Sequence, residues 1–66
     1  MPVINIDMWS GRSEEQKKDI IEKVTDAIVE SCGCPKMAVT VVINEIPKEN
    51  WGTAGEQHSE KFKNIP

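Results

Sequence analysis

From Ile4 onward the chain opens on a regular alternation of apolar and polar positions. Ile4, Ile6 and Met8 line one face of a predicted strand, and Asn5 and Asp7 line the other. Ser10-Gly11-Arg12 reads as a turn. Ser13-Glu14-Glu15-Gln16 then fits a capping box, in which the Ser13 hydroxyl accepts from the Gln16 amide while the Gln16 side chain reaches back to the cap. Glu14 and Glu15 suit the positive end of a helix dipole. Beyond the cap the period changes to that of a helix. Ile20, Ile21, Val24, Ala27, Ile28 and Ser31 share one face, and Lys17, Lys18, Glu22, Lys23, Asp26 and Glu30 fall largely on the other. Gly33 and Pro35 predict its end near Cys32. Ala38 to Ile46 is a nearly unbroken apolar run, the pattern of a strand covered on both faces.

Strand, helix and strand joined by short turns predict the α/β class: a single β-α-β unit with parallel strands and a right-handed crossover. One helix covers one face of such a sheet. Val41 and Val42 point to opposite sides of their strand, so the second face needs cover from another chain. Pro47 breaks the run, and Trp51-Gly52-Thr53-Ala54-Gly55 reads as a glycine-rich turn or short C-terminal hairpin. The tail, about residues 57 to 66, is polar except for Phe62 and Ile65, and is expected to be a short helix or a flexible end. Residues 1 to 66 read as one domain.

Composition sharpens the need for a partner. With 66 residues, 38% of them apolar, the chain is too short for two domains, and chains of this size lean on disulfides, a metal or partner subunits. Cys32 and Cys34 stand too close together to staple distant segments and read as free thiols of a reducing compartment. A zinc site would need both of them, the lone imidazole of His58 and a fourth ligand, so no metal is expected. Association of subunits remains. A net charge of −3 argues against nucleic-acid phosphates as a partner. No apolar run approaches a membrane span, and the start lacks a basic stretch leading into an apolar one. The expectation is a soluble cytoplasmic protein.

Most familiar catalytic sets are missing: there is no plausible Ser/His/Asp arrangement, no phosphate-binding glycine loop and no metal cluster. Two residues stand out instead. Pro2 follows Met1, and methionine is normally removed when the next residue is small. Its removal would leave a secondary amine in a rigid ring, able to take up a proton or condense with a carbonyl. The plain alternative is a strand-edge residue that needs no donor. Arg12 lies in the loop before the helix, where an arginine is either a solvated charge or an anion receptor. Trp9 fits a pocket mouth or an interface, and Met8 and Met37 fit core or interface filler. Cys32 and Cys34 lack the electropositive setting that activates a thiol, and His58 is expected to be exposed in the polar tail.

Pro2 behind Met1, the Gly11-Arg12-Ser13 turn followed by Glu15-Gln16-Lys17, the periodic helix, Pro35, and Val39 to Glu45 with Trp51-Gly52 together resemble the 4-oxalocrotonate tautomerase family, in order from Pro2 to about Glu56. The resemblance implies βαβ subunits that pair into dimers with a continuous four-stranded sheet, and three such dimers in a homohexamer. It implies that Pro2 is the general base for proton transfer on a small 2-hydroxy-dienoate or 2-oxo acid, that Arg12 binds the substrate carboxylate, and that Trp51 walls the pocket. No cofactor is implied. Where the family pattern carries a second arginine this chain has Thr40, a neutral donor or simply a β-forming residue, which puts efficient use of dicarboxylates in question. Three other readings stay open: a Pro2-based hydratase, dehalogenase or Schiff-base enzyme, a non-catalytic oligomeric module that binds a small acid, and a purely structural assembly protein.

Overall fold

The computed structural model describes all 66 residues. Strand β1, Val3–Trp9, leads through a short turn to helix α1, Glu14–Cys32, and strand β2, Thr40–Ile46, returns parallel to β1. After β2 come a small antiparallel hairpin, Gly52–Thr53 (β3) with Glu56–Gln57 (β4), and a one-turn helix α2, His58–Lys61. The predicted β-α-β unit with a C-terminal hairpin is therefore the fold.

The helix forms where its caps dictate. The Ser13 side chain accepts from the Gln16 amide at 3.1 Å, and the Gln16 side chain accepts from the Ser13 amide at 2.9 Å. At the other end Gly33 adopts a left-handed conformation, φ 68°, and its amide donates to the Val29 carbonyl. The second strand begins two residues later than predicted. Pro35 leads Lys36–Ala38 into a single 3-10 turn, which uses up the start of the apolar run before the chain extends.

The strand register, Ile4 with Val41, Ile6 with Ile43 and Met8 with Glu45, puts these six side chains on the face that α1 covers. The covered stripe of α1 is narrower than its periodicity predicts. Ile20, Val24 and Ile28 are half-buried, whereas Ile21, Ala27 and Ser31 are exposed. Two strands less than about 5 Å apart make a strip one helix wide, so the flanks of the apolar face find nothing beneath them. On the opposite face Val3 and Val42 are 55% and 40% exposed, and no apolar residue of the chain is fully buried. Both outer edges of the two-stranded sheet are unpaired. The radius of gyration is 14.7 Å, against about 11 Å for a compact chain of this length. No helix is long and apolar enough to cross a membrane.

Candidate active site

Parallel strands give the sheet two chemically different ends. At the first, Pro2 precedes β1 and its carbonyl accepts from the amide of Thr40, the residue set opposite Val3, at 3.1 Å, so the main chains of Pro2 and Thr40 adjoin. Both are half-buried. Met1 precedes Pro2 and is 89% exposed. With Met1 attached, the proline nitrogen is a tertiary amide without useful basicity.

At the second end the strands run out into Ser10-Gly11-Arg12 and into the segment carrying Trp51. The Ile46 carbonyl ties these together, accepting from the Ser10 amide at 3.1 Å and from the Trp51 indole N–H at 2.9 Å. Arg12 Nη2 donates to the Pro66 carbonyl at 2.7 Å. The four ion pairs of the chain join Lys17 to Glu45, Lys23 to Asp19, Lys36 to Asp26 and Lys61 to Glu56. None joins Arg12 to an Asp or Glu side chain.

The main chain of this loop is held by Glu45. One of its carboxylate oxygens accepts from the amides of Gly11 at 3.1 Å and Arg12 at 3.3 Å, and the other accepts from Lys17 Nζ at 2.6 Å. The Lys17 hydrogen bond, with smaller contributions from the two amides, holds the Glu45 carboxyl below the usual glutamate range against the opposing effect of desolvation. Gly11, at φ 120°, supplies the backbone conformation that turns consecutive amides onto one oxygen.

His58 corrects the sequence reading. It is not exposed in the tail but is the one buried residue of the chain, 8% exposed. The indole N–H of Trp9 donates to its Nδ1 at 2.9 Å, and Thr53 Oγ1 lies 2.8 Å from its Nε2. Indole nitrogen only donates, so Nδ1 accepts, and the neutral ring carries its proton on Nε2 toward Thr53. Trp51 stacks on the same imidazole, with planes 16° apart, and Phe62 meets it edge-on. Lys48 Nζ lies 4.6 Å from the centre of the Trp9 ring and donates to the Phe62 carbonyl at 2.7 Å and to that of Ile65. The burial of Trp9 is thus made within the chain, by residues of the tail. The available signal was chemical: a buried indole N–H needs an acceptor, and an imidazole nitrogen can serve as one.

Of the predicted site residues, the fold brings Pro2 beside Thr40 and Trp51 beside the Arg12 loop. It does not bring the two pairs together. Six steps of β1 at about 3.3 Å each separate them by roughly 20 Å, beyond the reach of an arginine side chain. The single concavity of the chain is an open depression along α1, lined by Glu14, Glu15, Lys17, Lys18, Ile21 and Glu22, and holds none of the four. No three His, Cys, Asp or Glu side chains converge as metal ligands.

A sequence profile of the family described as tautomerase enzyme matches residues 2–61. The chain belongs to the tautomerase family. The 2-hydroxymuconate tautomerase of Comamonas testosteroni is 60% identical over 55 residues, which are 83% of this chain and 87% of that one. Among solved structures, the 4-oxalocrotonate tautomerase isozymes of Methylibium petroleiphilum give a TM-score of 0.81 at 50% identity, over 85% of this chain and 90% of that one. A heterohexamer 4-oxalocrotonate tautomerase of Chloroflexus aurantiacus gives 0.87 at 30% identity, over 91% of this chain and 97% of that one. This tautomerase is accordingly an isomerase of the keto–enol type, on the β-α-β fold that its sequence predicts.

Proposed function

We propose that the protein, once Met1 is removed, is a cofactor-independent tautomerase of small 2-hydroxy-dienoate or 2-oxo acids, working as a self-associated assembly whose active sites each draw on two copies. The observation that carries the reading is the separation of roughly 20 Å between Pro2 and Arg12 along β1. A base and an anion receptor at opposite ends of one strand serve the same substrate only when a second copy lies alongside in the reverse direction. A two-fold arrangement places the Pro2 end of each copy against the Arg12 end of its partner, and makes two sites at once. Pairing of the bare sheet edges in this sense gives a four-stranded sheet. Three such dimers make the homohexamer in which a chain with no buried apolar residue finds cover.

Within such a site the Pro2 amine removes a proton from oxygen or carbon and returns it elsewhere along the conjugated acid. A nearby guanidinium and the apolar wall of Trp51 both disfavour the ammonium form, moving the amine toward the neutral range where a base works best. Arg12 pairs with the substrate carboxylate through its planar fork and stabilises the charge that develops on the dienolate. That no Asp or Glu side chain of the chain pairs with it supports this role. Thr40, in the place of the family's second arginine, offers one neutral hydrogen bond to the oxo or enol oxygen of a substrate held by a neighbouring copy. The comparison proteins named for 2-hydroxymuconate and 4-oxalocrotonate support this substrate class.

The test is an ultraviolet assay on protein whose mass confirms a free Pro2, with enol acids bearing one and two carboxylates. Turnover of at least one such acid, lost in Pro2→Ala and reduced about 100-fold or more in Arg12→Ala without loss of assembly, is the expected result. Wild-type kcat/KM in Arg12→Ala removes that residue from the mechanism. Failure of every enol acid leaves the acid-binding module as the better description of the assembly.

A further inference from the structure

We propose that Glu45 is a positioning residue for Arg12, holding the substrate-binding cation by its main chain while its own carboxylate is kept off the guanidinium. The proposal rests on the reading of Arg12 given above. Glu45 reaches the loop from the strand next to β1, where the register sets it opposite Met8, and one of its oxygens takes the amides of both Gly11 and Arg12. A carboxylate this close to an arginine would ordinarily be expected to take the guanidinium itself, and so compete with an acidic substrate. Here the second oxygen is taken by Lys17 at 2.6 Å, and the Arg12 side chain turns elsewhere. The three charges are thus sorted. Lys17 neutralises Glu45, Glu45 fixes the Arg12 backbone, and the Arg12 guanidinium, held at the Pro66 oxygen, stays unpaired with Glu45.

Each member of the set comes from a different element, so the arrangement reports correct docking of helix on sheet. Lys17 lies one turn into α1, Glu45 on β2 and Arg12 in the loop after β1. Gly11 is part of the device because its φ of 120° lies where other residues are strained, and a side chain there would disturb the loop although no atom stands in its way. A glutamine at position 45 keeps the shape but loses the charge assistance to both amides, and it meets Lys17 as a weaker partner.

Steady-state kinetics on an enol acid, with Glu45→Gln, Arg12→Ala and the double variant all carrying free Pro2, separates positioning from general stability. Glu45→Gln is expected to raise KM about tenfold with a smaller change in kcat. In the Arg12→Ala background the same substitution should cost nothing further, because nothing is left to position. An equal loss in both backgrounds would show a merely structural role and overturn the proposal. Full activity of Arg12→Ala would remove the reading on which it rests, and is recognised from that variant alone. Should Glu45→Gln fail to assemble, Lys17→Gln gives a second measure. It leaves the Glu45 charge uncompensated beside the anion site, so KM should rise at low salt and recover at high salt. An unchanged KM at low salt in Lys17→Gln would also count against the proposal.

Discussion

At position 40 a threonine gives the Pro2 end of the sheet a hydroxyl and no charge. Thr40→Arg is therefore expected to raise kcat/KM for a dicarboxylate about 100-fold, the scale on which one well-placed donor acts at an oxyanion, and to change monocarboxylate turnover far less. A substrate panel on the two proteins checks this. Glu45 makes a different prediction, about stability. Its folded-state carboxyl is held below the ordinary range chiefly by Lys17, so its contribution is present above the pKa of the unfolded glutamate and is lost as pH falls through the folded value. Thermal melts of wild type and Glu45→Gln should differ at neutral pH and converge in the acid range below an ordinary glutamate. The sequence pointed to Pro2 and Arg12 as candidates because telling residue types stood at telling places. It concealed Glu45 and His58, whose significance lies in partners dozens of residues away. Glu45 reads as one more polar end to an apolar strand until the register sets it beside the Arg12 loop.

Helix α1 shows what local physics specifies without help. Ser13, Gln16 and Gly33 satisfy the helix ends through contacts within a few residues, and for that reason they were legible in the sequence. Ser13→Ala should cost about 1 kcal/mol through the lost cap. Gly33→Ala should cost about 1 kcal/mol, because its left-handed φ strains a β-carbon even where nothing crowds it. Denaturant titration at fixed protein concentration measures both, and either substitution costing nothing would contradict the cap assignment. The extent of the buried stripe was less legible. Periodicity names the apolar face of a helix, but the width of the surface beneath it decides how much is covered. Ile21 stays 40% exposed because a two-stranded sheet is too narrow to reach it. The hairpin was signalled by its glycines, and Ala54 and Gly55, both at positive φ, form the two-residue turn that such hairpins favour.

The whole molecule is a thin body, 42 by 25 by 14 Å, with its apolar surface divided between a covered and a bare face. If copies of the chain complete each other, the melting temperature should rise with protein concentration, and activity should fall together with stability on dilution. Val42→Lys, on the bare face, should dissociate the assembly and abolish turnover, as sedimentation and the ultraviolet assay together would show. A monomer with full activity would end the two-copy reading. The length of β1 has one more consequence, and it concerns inheritance. When base and cation sit at opposite ends of a strand, each gene copy encodes two halves of two different sites. If the two-copy site holds, chains carrying Pro2→Ala and chains carrying Arg12→Ala, each impaired alone, should when mixed equally rebuild about a quarter of the sites intact, each from one good end of either parent. After duplication, one gene can lose its proline and its twin its arginine while the pair still works. The span of a single strand is in this way enough to turn a homomeric enzyme into an obligate partnership of two genes.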